Sequence, residues 1–550
     1  MPNTPNTPNT PEYAHSRVPN DKLMGGGHFA ASYGAEHVAG GEFVVGAAFA
    51  TWGASPSAVL GGLLIGNALA VLSWAWVCAP VAVKARLTLY EYLARMMGDG
   101  FVRTFNLLSG LIFAVIAGGM LTIAAQAVQG LFDTTRQVLW YPTSVGFVVW
   151  VAVFGVMAVW LTLKGFLGLT RFAKYVSPYL LTVFLVCIVA SVPFLWQAGQ
   201  AQGIRFIDIF SHYIWTGQVA YGGHDKEPFG IWHIAVFAWG LNLPLHLGMG
   251  DMSTLRFAKK WQYGYYSVFA TFGGHFVAWI GAGMLGVVSA MLVGSQVGKL
   301  DIGGVVVPML GVAGVLAVVF ASLTTAVPSL YRAGLAFDGV FGDFGFRRAV
   351  IWVGVVITVV ATFPLIFLKW LDLMAYFNII MAPVGAMIAC EHFILPHLGI
   401  RPFWQTTGNK TAVVSWAMGV ILALGLVMGG VHLFFVFVPV WAVCFIVYGV
   451  GAWLENAHHR LPLSAQTLYQ MSYGADDGVD NDLCSTTQMT KHPDKTLWLR
   501  VLILFMMVLW CMVLYVGVAH HQLLIFQQGL FVLTVLYLCV AGWQLRLATP

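Results

Sequence analysis

The chain has 550 residues, of which 59% are hydrophobic and only 9% charged. Soluble domains carry about 25% charged residues, so this composition excludes a water-soluble globular protein and points to an all-α polytopic membrane protein in a lipid bilayer. The formal net charge of +5 calls for no nucleic-acid partner, because the basic residues sit in short loops, where insertion places them.

In chain order, residues 1–24 are polar and begin with a Pro-Asn-Thr repeat. They lack the apolar core of a cleaved signal peptide, and a disordered cytoplasmic tail is expected. The apolar runs that follow exceed the ~20 residues a helix needs to cross a bilayer, and the alternating pattern of a membrane β-barrel is absent. About fourteen transmembrane helices are predicted. They begin near His28, Ser57, Arg103, Thr143, Phe172, Ile231, Tyr263, Gly304, Arg348, Leu371, Lys410, His432, Thr496 and Gln522. They divide into five spans over 25–200, five over 201–398, spans eleven and twelve over 399–454, a cytoplasmic loop over 455–495 and two further spans over 496–550.

With the N-terminus inside, 21 of the 27 Lys and Arg fall in inside loops. Five (Arg136, Arg205, Lys226, Lys299 and Lys369) fall outside, and Arg332 lies within or at the end of span eight. That bias favours this orientation over its inverse. It predicts both termini in the cytoplasm and residence in the cytoplasmic (inner) membrane.

Two spans are interrupted at matching places. Residues 31–45 read Ala-Ser-Tyr-Gly-Ala-Glu-His-Val-Ala-Gly-Gly-Glu-Phe-Val-Val, and residues 238–251 read Ala-Trp-Gly-Leu-Asn-Leu-Pro-Leu-His-Leu-Gly-Met-Gly-Asp. Irregular backbone at membrane depth is tolerated only where it is buried in protein or lines a cavity. A pair of Gly/Pro-interrupted spans, one opening each half, is the sequence pointer to a midplane solute site.

Other chemistry is not indicated. The seven Cys and sixteen His show no metal-ligand spacing. Asp476-Asp-Gly-Val-Asp480-Asn-Asp482 lacks the turn Gly and terminal Glu of a calcium loop. An enzyme is therefore not expected, and no organic cofactor is implied. A monomer or weak oligomer is expected.

Several stretches together resemble the nucleobase:cation symporters, the purine–cytosine, allantoin and hydantoin permeases. They are Gly46-Ala-Ala-Phe-Ala-Thr-Trp-Gly-Ala-Ser-Pro, Gly61-Gly-Leu-Leu-Ile-Gly-Asn, Tyr92-Leu-Ala-Arg-Met-Met-Gly, the run from Lys164 to Leu181, Gly250-Asp-Met-Ser-Thr-Leu-Arg-Phe-Ala-Lys and the run from Ala382 to Phe393. The resemblance covers roughly residues 25–454. It implies a leucine-transporter-type fold, a 5+5 inverted-repeat transporter core with broken spans 1 and 6, and a sodium- or proton-coupled importer of a small nitrogen-containing solute. The last two spans exceed the family's usual twelve. Leu87-Thr-Leu-Tyr-Glu-Tyr-Leu-Ala-Arg and Thr324-Thr-Ala-Val-Pro-Ser also resemble the sodium:solute symporters, which normally carry one further span before the broken one. A solute-sensing receptor without flux is a second alternative, with the extra spans and the 455–495 loop available to dock a partner.

The resemblance places a sodium ion between span one and Ala321-Ser-Leu-Thr-Thr in span eight. Its ligands would be the hydroxyls of Thr324 and Thr325 and the carbonyls of Glu36, Ala39 and Ala321. A hard cation suits such oxygens; the alternative is that both Thr bond their own helix. For the substrate, Glu36, Gly40 and Gly41 lie at the first break, Trp239 and Asn242 at the second, and Phe113 on span three. The family stacks its flat substrate between two Trp. Trp239 supplies one, and Phe113 stands near the place of the other. Charges this deep face a cavity or a partner, which makes Glu36 the first choice for a substrate or proton contact and gives Glu42 a structural hydrogen bond as its alternative role. Arg332 either pairs with one of these acids or snorkels to the cytoplasmic face; snorkelling is the expected arrangement.

Overall fold

The computed structural model describes residues 12–132, 137, 139–219, 227–342, 344–364, 370–405, 408–473, 495–513 and 519–548. Arg136, Lys226, Lys369 and the Asp476–Asp482 stretch lie outside them. The described chain is helical throughout, with only two isolated β-bridges. Nine of its helices are long and apolar enough to cross a membrane.

The first interrupted span forms two half-helices, α1 (Gly26–Glu36) and α2 (Glu42–Thr51), separated by a turn at His37–Gly41. After α3 (Pro56–Ser73) come α4 (Asp99–Gln129), α5 (Val145–Thr162) and α6 (Gly165–Ala201). The second interrupted span gives α7 (Ile231–Gly240) and α8 (Met252–Leu255), joined by irregular backbone over 241–251. Then follow α9 (Trp279–Leu292), α10 (Ile302–Phe341), α11 (Phe346–Val360), α12 (Trp370–Phe393), α13 (Lys410–Met428), α14 (Phe437–Glu455), α15 (Lys495–Val513) and α16 (Ala519–Ala548). Half-helices of 10 and 11 residues are too short to span alone, which is one reason fewer helices than fourteen pass a length criterion.

Gly40, Gly41, Pro244, Gly248 and Gly250 interrupt the two spans, and Met249 takes a left-handed φ of 63°. The freed backbone groups are satisfied from within the protein, as the bilayer requires. Gly248, Gly250 and Asp251 donate to the carbonyls of Leu243, Pro244 and Leu245 at 2.7, 2.9 and 3.0 Å. Asn378 on α12 donates to Gly240 O at 2.8 Å and Trp441 on α14 to Leu247 O at 3.3 Å. Close approach matters at Gly385, where a Cβ would come within 1.5 Å of Leu247 O, and at Gly274, where it would come within 1.9 Å of His37 O. Large apolar side chains such as Val156, Trp160, Trp352 and Ile421 face outward, as lipid-facing positions do.

Two findings go beyond the sequence reading. The expected disordered tail is docked from Glu12 onward. Buried Arg256 donates to the Glu12 and Tyr13 carbonyls at 2.6 and 2.7 Å, and Tyr331 donates to the Glu12 carboxyl at 2.7 Å. Arg17 donates to the carbonyls of Ala85 and Lys84. A buried guanidinium needs acceptors, and the tail supplies them; burial in turn pushes the Glu12 carboxyl above its usual range. The extra C-terminal helices also pack on the core. Gln527 donates to Val307 O and Pro308 O at 3.4 and 3.0 Å, where α10 bends at Gly311 with φ 58°.

Candidate functional site

Three charged side chains meet where the two breaks face α10. Arg332 donates to both oxygens of Glu36 at 2.5 and 3.2 Å and to Asp251 Oδ1 at 2.5 Å. Asp251 also accepts from Trp74 Nε1 at 2.6 Å, Tyr33 OH at 3.1 Å and Thr254 Oγ1 at 3.3 Å. Arg332 and Asp251 are each 1% exposed and Glu36 6%. Arg332 therefore does not snorkel. Its side chain turns inward because two carboxylates at this depth require a counter-charge, and the bidentate fork suits a carboxylate. Glu36 has both carboxylate oxygens committed to Arg332. Asp251 was not singled out as a site residue, although a lone acid beside a Gly-Met-Gly break carries the same signal as Glu36.

The same glutamate presents its backbone to α10. Thr325 Oγ1 donates to Glu36 O at 2.5 Å and lies 3.3 Å from Ala321 O, while Thr324 Oγ1 bonds Ala321 O at 2.9 Å. Thr324 thus bonds its own helix, and Thr325 reaches across to the broken span. The structure gathers four of the five expected cation-ligand groups (Glu36, Ala321, Thr324 and Thr325) at one point. The fifth, the Ala39 carbonyl, accepts the Glu42 N–H at 3.1 Å and so caps the turn into α2. A narrow cavity lined by Ser32, Glu36, Phe172, Thr324 and Pro328, among others, opens beside this point.

The expected substrate residues divide between two sides. Gly40 packs against α10, where a Cβ would meet Ser322 Oγ at 2.2 Å; Gly41 caps the start of α2. Phe113 lies under Arg332, 5.7 Å from guanidinium carbon to ring centre, and against Gly250. Trp239 and Asn242 are bonded to neighbouring elements. Trp239 Nε1 donates to Ser73 at 2.9 Å and its ring packs edge-on to Phe437, while Asn242 pairs with His275 at 2.9 Å. For Asn242, the irregular backbone after Gly240 removes the helical period from which facing could be read. Glu42 accepts from Trp279 Nε1, the structural role given as its alternative.

A polar cluster lies on that second side, where His275 joins His37 and His246 of the two breaks. His37, His246 and His275 are all buried. His37 lies edge-on to Trp74 at 5.5 Å and to His275 at 6.3 Å, and Trp74 packs on His246 at 4.6 Å. Trp74 and His275 sit in π-helical stretches, Trp74–Cys78 and Phe269–Ala278, a distortion common at functional sites. One nitrogen of each imidazole has no hydrogen-bond partner, nor does buried Ser322 Oγ.

The fold has counterparts among solved transporter structures. A nucleobase-cation-symport-1 family transporter, in a closed conformation with bromovinylhydantoin bound, superposes with a TM-score of 0.58 at 15% identity, over 84% of this chain and 99% of the other. The chain shares the fold of that transporter. A sodium-coupled sialic acid symporter, in a substrate-bound outward-open state, gives a TM-score of 0.56 at 15% identity over 80% and 92% of the two chains. At such identity the likeness establishes the fold. Neither a protein-family model nor a curated protein sequence matches the chain. On this fold, the Glu36–Asp251–Arg332 triad ties both broken spans to the helix that carries Thr324 and Thr325.

Proposed function

We propose that this protein is a secondary active importer of the nucleobase–cation symporter family, coupled to sodium, with a small nitrogen-containing solute such as a purine, cytosine or hydantoin-like compound as substrate. The observation that carries the reading is the meeting of Thr325 Oγ1, Glu36 O and Ala321 O at the first break. Oxygens of this kind suit a hard monovalent cation. Glu36, Ala39, Ala321, Thr324 and Thr325 would hold sodium. Gly40, Gly41 and Phe113 would face the substrate, with Ser322 as an added hydroxyl contact. Trp239 and Asn242 would join only after rotating away from Ser73 and His275. The solved symporter with bound bromovinylhydantoin supports a flat heterocycle, and the sodium-coupled sialic acid symporter supports the coupling ion.

In this reading the chain crosses the inner membrane fourteen times, as two inverted five-span repeats plus four spans, with both termini in the cytoplasm. Rocking of one bundle against the other would expose the midplane alternately to each face. The test is uptake of radiolabelled nucleobases and hydantoins into proteoliposomes. An inward sodium gradient is expected to drive accumulation of one of them above equilibrium. Equal uptake with choline replacing sodium on both sides would remove sodium from the mechanism.

A further inference from the structure

We infer that the C-terminal helix pair, α15 and α16, builds with the start of α6 a binding site for the phosphodiester headgroup of an anionic phospholipid. The inference goes beyond transport and needs neither the substrate site nor the sodium site. Arg500 on α15 is 9% exposed. It donates to Gln544 Oε1 at 2.6 Å, to Tyr537 OH at 2.7 Å and to the Lys174 carbonyl at 3.1 Å, and its guanidinium carbon lies 5.2 Å from the centre of the Tyr537 ring. All three acceptors are neutral, and Arg500 Nε has no hydrogen-bond partner. A guanidinium does not lose its proton, so a full positive charge is held here out of water. Arg332 and Arg256, buried likewise, have carboxylates beside them. Arg500 has none among the described residues.

The neighbouring side chains add to that charge. Lys174, whose carbonyl Arg500 holds, stands beside Arg171 one turn earlier on α6, and neither forms an ion pair among the described residues. Arg171 is exposed and Lys174 half-buried, so both can be reached from outside while Arg500 acts from behind them. The three helices are tied together at this level. Tyr537 OH donates to Tyr175 O at 2.9 Å and Tyr175 OH to Leu538 O at 2.8 Å. Trp498 and Trp543 face outward close by in sequence to Arg500 and Gln544, as Trp does at a membrane–water interface. Leu497, Val501 and Leu502 are exposed beside them, where acyl chains would lie. In the orientation read from the charge bias, this is the inner leaflet. A phosphodiester brings both the missing negative charge and oxygens that guanidinium and ammonium groups bind. Basic clusters between spans on this side of a membrane are suited to lipid headgroups.

The experiment uses the full chain purified in a neutral detergent. Its melting temperature is measured as phosphatidylglycerol or phosphatidylcholine is added to the micelles, and separately with inorganic phosphate at constant ionic strength. Phosphatidylglycerol is expected to stabilise saturably at fractions where phosphatidylcholine does nothing, and inorganic phosphate is expected to give no shift. The pair Arg171→Gln, Lys174→Gln is expected to raise the half-maximal phosphatidylglycerol fraction about thirtyfold, the effect of losing two basic contacts to an anionic headgroup. The charge-matched pair Arg347→Gln, Arg348→Gln, at exposed positions in the first turn of α11, is expected to stay within about threefold of the wild type. Equal stabilisation by the two lipids overturns the proposal, and is the result expected if the acidic Asp476–Asp482 stretch supplies the counter-charge instead. Equal weakening in both pairs assigns the effect to the general positive charge of this face and overturns the site. Stabilisation by inorganic phosphate as strong as by phosphatidylglycerol assigns the site to a free anion and overturns the lipid. Should the Arg171, Lys174 pair fail to fold, Arg171→Gln alone decides: a rise of about fivefold is expected, and an unchanged fraction overturns the proposal.

Discussion

Arg332→Leu is expected to lower the melting temperature of the purified protein more than any other single change at the site. The substitution removes the positive charge shared by Glu36 and Asp251 and leaves two buried carboxylates without it. Breaking a buried pair by removing one partner costs about 3–5 kcal/mol, and here two pairs break together. Arg332→Lys is expected to recover little. An ammonium is a point charge and does not reproduce the fork that meets both Glu36 oxygens and Asp251 at once. The diagnostic variant is the triple change Arg332→Leu, Glu36→Gln, Asp251→Asn, which removes the charges together and is expected to melt within a few degrees of the wild type while losing transport. Size-exclusion profiles and thermal melts in detergent read the outcome. A wild-type melting temperature in Arg332→Leu would mean that the triad does not hold the two broken spans to α10.

Thr325→Ala is the second large effect, this time on ion dependence and not on folding. The hydroxyl reaches Glu36 O at 2.5 Å and Ala321 O at 3.3 Å, so its loss takes one oxygen from the proposed cation ligands and one hydrogen bond from the break. A hydrogen bond of this kind contributes about 1 kcal/mol to stability, so the protein is expected to fold. The sodium concentration for half-maximal stabilisation is expected to rise at least about tenfold, since the lost hydroxyl would also be an ion ligand. Thr325→Ser, which keeps the oxygen, is expected to stay within about threefold of the wild type. Unchanged sodium dependence in Thr325→Ala would remove this site from the mechanism.

Much of the architecture was legible in the sequence, because hydropathy and helix breakers are local signals. The breaks fall at His37–Gly41 and 241–251, where Gly40, Gly41 and Pro244 sit in apolar runs. The proposed cation ligands rest on local features of the same kind, since Thr324 and Thr325 lie in one run and Glu36 at one break. Contacts between distant segments do not. Arg332 read as a snorkelling residue because hydropathy measures distance from a helix end and is blind to a partner 296 residues away. One signal was available: Arg332 follows Thr325 by seven residues, two helical turns, so both face Glu36, one its carbonyl and the other its carboxylate. The three histidines come from three separate elements, and no spacing rule brings them together. Trp239, at the end of α7, and Asn242, in the irregular stretch that follows, flank the second break, and their bonds to Ser73 and His275 come from segments distant in sequence.

The most direct test of the account is a thermal-shift screen of the purified protein against nucleobases, hydantoins, vitamins and amino acids, each in sodium chloride and in choline chloride. A ligand that binds the folded state raises its stability by mass action. Sodium-coupled import predicts that one flat nitrogen heterocycle raises the melting temperature and that the rise is larger in sodium. Stabilisation of equal size in sodium and in choline would contradict sodium coupling, and stabilisation only by compounds outside the flat heterocycles would contradict the substrate class.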